Sequence, residues 1–300
     1  MPKLVNLGSL GIDHVYAVDH ITSAGETLSS HTHDVFPGGK GSNQSIAAAK
    51  AGADVVHVGC IGPDGDMLLD VLREVSVDVT GVRVGETATQ HAVIQVDRQG
   101  QNAIVIYGGA NLTINEDDRN VALSKIAPGD WLLLQNEIND LEKILDEAAQ
   151  QDVSVAFNVA PVDGREKDYD YSRVGLLIVN EVEAASLAGE SDPERAFDVL
   201  TSRFPDMIVL LTLGKDGGIY GGGIHPRVAY QAHTVDAVDE TAAGDTFIGY
   251  FMAEWLRSQD LAKAVEDASA AGAIAVTKPG AASSIPSRSE VDAFKKAMVL

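Results

Sequence analysis

Short apolar runs alternate with helix-length patterns along most of this chain. Strand-like runs fall at 4–7, 55–58, 131–134, 154–157, 176–179 and 208–212. Helical patterns occupy 42–51, 66–75, 140–150, 181–187, 193–203, 245–257, 261–277 and 289–298. Such alternation predicts an α/β fold, with a mostly parallel central sheet covered by helices on both faces. Three hundred residues are enough for one large or two medium domains. No repeat, low-complexity tract or linker divides them, so one domain spanning 1–300 is expected.

Two segments break the alternation, at about 14–35 and 89–107. In the second, Ala92-Val93-Ile94-Gln95-Val96 and Ala103-Ile104-Val105-Ile106 flank a turn at Arg98-Gln99-Gly100-Gln101. These segments predict a small β-sheet of their own beside the main body. Such a sheet serves as a lid or as a dimerisation surface; a decorated edge of the main sheet is the plainer alternative.

Acidic residues number 44 against 22 basic ones, a formal net charge of −22. That argues against nucleic acid and anionic membranes as main partners, since both require cationic surface. The single cysteine, Cys60, lies in an apolar run. No disulfide within the chain is possible, which fits a reducing compartment. The start, Met1-Pro2-Lys3-Leu4-Val5, has no signal-peptide character, and no apolar stretch approaches the roughly 20 residues of a membrane span. A cytoplasmic location is expected.

The segment Val238-Asp239-Glu240-Thr241-Ala242-Ala243-Gly244-Asp245-Thr246-Phe247 places an acid just after small residues, where an apolar helix begins. The first N–H groups of a helix lack intrahelical partners and carry the positive end of its dipole. Such a corner holds an anion, often a phosphate, and an acid there can take a proton from an attacking hydroxyl. The segment therefore predicts phosphoryl transfer to an alcohol.

Other motifs are weaker alone. Pro37-Gly38-Gly39-Lys40-Gly41-Ser42-Asn43-Gln44 leads three glycines into an Ala-rich helix, but has neither Walker A nor dinucleotide spacing. Its N–H groups, Lys40 and Asn43 suit sugar hydroxyls; a tight turn with an N-cap is the alternative. Asp13, in Gly8-Ser9-Leu10-Gly11-Ile12-Asp13, is expected at the carboxyl end of the first strand, where it either accepts bonds from two hydroxyls or caps a turn. Asn180 and Glu183 share one side of a helix turn. They either order water around Mg²⁺ or start a helix. Thr212-Leu213-Gly214-Lys215-Asp216-Gly217-Gly218 suits either a nucleotide or a hairpin. Lys278-Pro279-Gly280-Ala281-Ala282-Ser283-Ser284 either offers carbonyls to a monovalent cation or ends a helix. His31 and His33 share one strand face but have no third ligand nearby in sequence, so no metal site is expected there.

The order of these motifs resembles the ribokinase (PfkB) family of sugar kinases over almost the whole chain. Gly25-Glu26-Thr27, Gly109-Ala110-Asn111 and Asn158-x-Ala160-Pro161 add to the likeness. The resemblance implies a three-layer αβα core with a small β lid. It implies phosphorylation of a sugar's primary hydroxyl by MgATP, with D-ribose the expected sugar. It carries Asp245 over as the catalytic base, with Ala243 and Gly244 as the anion hole. Asp13, Gly38, Gly39, Lys40, Asn43 and Glu137 correspond to sugar contacts. Asn180, Thr212, Gly214, Gly217 and Gly244 correspond to ATP contacts, with Asn180 and Glu183 organising Mg²⁺. Asp239, Thr241, Ala275, Gly280 and Ser284 fall where the family binds potassium. A homodimer through the lid is also implied.

This chain departs from the family pattern in three places. It lacks a proline before Gly25, has Ser269 where many members carry Asn near adenine, and has Glu240 where Thr is usual. The alternatives are a relative acting on fructose, another ketose or a nucleoside, and a non-catalytic sugar sensor on the same fold. The missing dinucleotide fingerprint weighs against an oxidoreductase.

Overall fold

The structure is a computed structural model and describes residues 2–298. The chain opens with β1 (Lys3–Leu7), β2 (Gly11–Ala17), β3 (Thr32–Gly38), α1 (Lys40–Lys50), β4 (Asp54–Ile61) and α2 (Asp66–Glu74). Next come β5 (Asp78–Val84), β6 (Gln90–Val96), β7 (Asn102–Tyr107), α3 (Glu116–Ser124), β8 (Trp131–Gln135), α4 (Leu141–Gln150) and β9 (Ser154–Asn158). The second half holds β10 (Val174–Asn180), α5 (Glu181–Ala188), α6 (Pro193–Arg203), β11 (Ile208–Thr212), β12 (Gly218–Gly222) and β13 (His225–Tyr230). Helices α7 (Ala243–Ser258), α8 (Leu261–Ala275) and α9 (Arg288–Met298) complete it.

The main sheet runs β13-β12-β11-β10-β9-β8-β1-β4-β5. Every pair from β11 to β5 is parallel, and β12 and β13 add an antiparallel edge. Successive strand residues point to opposite faces, so one strand feeds two cores. Leu4, Leu133 and Ile178 pack with α1, α2, α7, α8 and α9. Val5, Leu132 and Val179 pack with α3, α4, α5 and α6 on the other face. The result is the expected three-layer α/β architecture.

The six predicted strands all form. The reading missed β5, α3, β12 and β13. Gly81 interrupts β5, glycine dominates β12, and β13 carries Pro226, a residue tolerated on an edge strand. Helix α3 is too polar to display an apolar stripe; a capping box between Asn115 and Asp118 starts it instead.

Four strands form a separate small sheet, in the order β3-β2-β6-β7. Asn111 ties its root to the main body: its Oδ1 accepts from Leu10 N at 3.1 Å, and its Nδ2 donates to Leu10 O at 3.2 Å. Helix α7 is buried continuously from Asp245 to Leu256, between α1 and α8. Gly249 permits that packing, because a Cβ there would sit 2.6 Å from both Ala48 N and Gln44 O. The crossing brings Asn43 and Gln44 of α1 against the first turn of α7. Among the described residues, no helix is long and apolar enough to cross a membrane.

Candidate active site

The loops after β1, β8, β10 and β11 leave from the carboxyl edge of the parallel strands, where open α/β sheets place their ligands. Ala242, at φ 58°, turns the chain into α7, so that Asp245 occupies the third helical position. Ala243 N donates to Glu240 O at 3.2 Å, and Thr246 N donates to Ala242 O at 2.8 Å. No backbone acceptor among the described residues takes the N–H of Gly244 or Asp245. A Cβ on Gly244 would meet nothing within 4 Å. Of the two residues expected to form an anion hole, Gly244 therefore keeps its donor free, while that of Ala243 turns back into its own loop.

Asp245 is 8 % exposed, and both its oxygens are held. Asn43 Nδ2 donates to Oδ2 at 3.1 Å, and Gln44 Nε2 donates to Oδ1 at 2.9 Å. The other end of the Asn43 amide, Oδ1, is buried without a partner. An orphaned acceptor beside a carboxylate fits a ligand that donates hydrogen bonds, as a polyol does.

Lys40 opens α1 after Gly39, whose φ of 92° favours glycine. Its N–H donates to Glu137 Oε2 at 3.1 Å, and Ser9 Oγ donates to the same oxygen at 2.5 Å. Burial opposes charge on Lys40, yet Asp245, Glu137 and Glu183 hold its ammonium above the ordinary lysine range. Burial also pushes the Glu137 carboxyl up, against the pull of Lys40.

Asp13 lies elsewhere than expected. It is the third residue of β2 in the small sheet, not a residue closing a main-sheet strand, because the chain turns into β2 directly after Leu10. Its carboxylate fills the space over Gly38, where a Cβ would lie 2.6 Å from Asp13 Cγ. Burial, with Glu137 and Asp245 nearby, raises its pKa to about 6. The structure thus brings Asp13, Gly38, Gly39, Lys40, Asn43, Glu137 and Asp245 into one cluster.

Asn180 and Glu183 form a reciprocal capping box at the start of α5. Asn180 N donates to Glu183 Oε2 at 2.8 Å, and Asn180 Nδ2 donates to Oε1 at 2.9 Å. Burial pushes the Glu183 carboxyl up. Thr212 ends β11, and Gly214 faces open space with φ 55°. Gly217 has a structural reason: a Cβ there would lie 2.8 Å from Gln231 Cα. Asp239 ties two loops together. Its Oδ1 accepts from Thr241 N at 2.9 Å and Oγ1 at 2.6 Å, and its Oδ2 accepts from Gly280 N at 2.8 Å. Although burial opposes it, these bonds hold the Asp239 carboxyl below its usual range. Ser284 Oγ donates to Ala281 O at 2.8 Å, and Ala275 O accepts from Lys278 N at 3.1 Å. No cluster of three or more His, Cys, Asp or Glu residues suited to a metal ion occurs among the described residues.

The sequence reading missed the buried polar residues behind Asp245. Gln44 Nε2 also reaches Asn158 Oδ1 at 3.1 Å, and Gln44 Oε1 accepts from Gln135 Nε2 at 2.8 Å. Gln135 Nε2 donates to Asn6 Oδ1 at 3.1 Å. The only signal was polarity inside or at the end of otherwise apolar strands.

An acid at the free start of a buried helix, facing a cluster of sugar-compatible polar groups, defines a small-molecule kinase of the α/β class. The model of the pfkB family carbohydrate kinases matches residues 1–288, and the chain belongs to that family. It is similar to ribokinase from Haemophilus influenzae, 36% identical over 300 residues that cover 97% of each protein. Among solved structures, Thermotoga maritima ribokinase has a TM-score of 0.87 at 35% identity, covering 99% of this chain and 100% of that one. Arabidopsis thaliana ribokinase complexed with ribose and ATP has a TM-score of 0.86 at 28% identity, covering 98% of this chain and 99% of that one.

Proposed function

We propose that this protein transfers the γ-phosphoryl of ATP to the primary hydroxyl of a pentose, D-ribose, at O5. The single observation behind this reading is the placement of Asp245. It stands at the start of α7, fixed by Asn43 and Gln44, and shares the cluster of Asp13, Lys40 and Glu137. The full-length likeness to ribokinases, one of them solved with ribose and ATP, supports the choice of sugar and donor.

In this mechanism Asp13, Lys40, Asn43 and Glu137 orient the sugar, helped by the close approach that Gly38 and Gly39 allow. Asp245 accepts the proton of the attacking hydroxyl as the new P–O bond forms and the bond from the γ-phosphorus to the β–γ bridging oxygen breaks, releasing ADP. The N–H of Gly244 receives the phosphoryl oxygens, joined by that of Ala243 if its loop bond opens. Positioning and charge stabilisation dominate such transfers. Thr212 and Gly214 border the nucleotide. Asn180 and Glu183 would hold Mg²⁺ through water, Glu183 by the acceptor capacity its carboxylate keeps beyond its two bonds from Asn180; the ion would neutralise charge on the phosphates. Asp239, Thr241, Gly280, Ala275 and Ser284 form the loops in which K⁺ would sit. The small sheet, formed by about residues 14–35 and 89–107, acts as a lid and pairs two copies through its exposed apolar strands.

A coupled ADP-release assay across pentoses, hexoses and nucleosides tests this. D-ribose is expected to give the highest kcat/KM, with a drop in turnover when K⁺ is replaced by Na⁺ or Tris. ADP release that no sugar stimulates would overturn the reading.

A further inference from the structure

We propose that Gln44 is a positioning residue for Asp245, and that a one-way relay of amides fixes the direction of its hydrogen bond. The inference rests on Asp245 acting as the base. An amide side chain can face a carboxylate with either its NH₂ or its oxygen, and the two ends have opposite effects. Two main-chain carbonyls decide the matter here, because a carbonyl only accepts.

The first carbonyl is that of Gly41, which accepts from Asn6 Nδ2 at 2.8 Å. Asn6 must therefore turn its Oδ1 toward Gln135, which donates to it. The same Gln135 NH₂ donates to Gln44 Oε1. With its oxygen committed there, Gln44 turns its NH₂ to Asp245 Oδ1. The second carbonyl is that of Ile178, which accepts from Asn158 Nδ2 at 3.3 Å. Asn158 Oδ1 then faces Gln44 Nε2 and accepts from it. Both branches impose the same orientation.

Asn6, Gln44 and Gln135 are fully buried and Asn158 is 5 % exposed. Burial of four amides is costly unless it is hydrogen-bonded, and the relay leaves one orphan among them, Gln135 Oε1. Asn43 touches the other oxygen of Asp245 and is a proposed sugar contact. Gln44 sits behind the carboxylate, so its role is to hold Oδ1 still while Oδ2 faces the sugar side.

Gln44→Met retains the length of the side chain and removes the donor. With D-ribose and MgATP, kcat is expected to fall roughly 10-fold, as for a misplaced reacting group. KM for ribose should stay within roughly two-fold, because uniform binding is untouched. In a crystal structure of the variant, the Asp245 carboxylate should rotate away from its wild-type plane. Gln44→Glu keeps the acceptor for Gln135 but presents a carboxylate to Asp245, and should lower kcat further with KM for ribose again little changed; it serves if the methionine variant does not fold. A loss of thermal stability with an unchanged kcat and an unmoved carboxylate would overturn the proposal. If wild type phosphorylates no sugar, the functional reading fails, and the carboxylate orientation still decides the role of Gln44.

Discussion

Asp245 is the residue on which the chemistry converges. General-base assistance contributes roughly 10²–10⁴-fold, so Asp245→Asn should lose at least about two orders of magnitude in kcat. Calorimetric ribose binding should persist, because the amide oxygen can keep the Gln44 donor while Asn43, by turning its unpartnered Oδ1 inward, accepts from the new NH₂. A near-normal kcat would remove Asp245 from its assigned role. Asp13 offers a second test. Its pKa is about 6 in the fold against 3.8 as an ordinary carboxyl, so folding disfavours its ionised form. That penalty is absent below about pH 3.8 and complete above about pH 6. Asp13→Asn should therefore raise stability at pH 8, by on the order of 1–2 kcal/mol after solvent screening, and have little effect near pH 4. It should weaken ribose binding at the same time, and in wild type the KM for ribose should climb as pH falls through 6. Thermal melts at the two pH values, with the KM–pH profile, check both. Asp245, Lys40 and Asn43 were readable because each stands in a motif of small residues at a helix start. Gln44 and Asn158 stood in quoted motifs but gave no sign of this role, and Asn6 and Gln135 showed only as polar residues in apolar strands. Their function depends on which of two amide ends faces a neighbour far away in sequence, and no local pattern encodes that.

At the scale of elements, six of the seven parallel strands were readable because burial on both faces leaves a mostly apolar run within each, while β5, broken by Gly81 and Arg83, was not. Strands β12 and β13 were not, because edge position relaxes that demand. The small sheet and its β6–β7 hairpin were anticipated from the two extended segments, but the pairing of β2 with β3 and with β6 was not. Its order places β7 at an open edge with Ile104 51%, Val105 71% and Ile106 58% exposed. Alternation puts Val105 on one face and Ile104 with Ile106 on the other. A long apolar edge strand left unpaired recruits another chain. We expect wild type to sediment as a dimer and Ile104→Asp/Ile106→Asp to sediment as a monomer with its main-sheet core intact, read as unchanged far-UV circular dichroism. A double variant that remains dimeric would place the interface elsewhere.

The whole molecule carries a formal charge of −22, and its ligand is a polyanion. Within the sugar-side cluster, Lys40 stands among Glu137, Glu183 and Asp245, with Asp13 beside two of these carboxylates. The local field therefore does not reverse the global one. At low ionic strength the field reaches about 30 Å, and at physiological salt about 8 Å. A nucleotide approaching from solvent is repelled over the longer distance and nearly indifferent over the shorter. Raising tetramethylammonium chloride from about 0.01 to 0.15 M should lower KM for MgATP, by roughly two- to five-fold if one to a few charges are felt at the mouth of the site. That salt avoids any confusion with activation by K⁺. The neutral sugar provides the internal control, since its KM should not follow the same trend. An enzyme whose phosphate cradle were basic would show the opposite slope, because screening would weaken attraction rather than repulsion. A KM for MgATP that rises with salt would mean that the free helix start at Gly244, together with Lys40, outweighs the surrounding carboxylates.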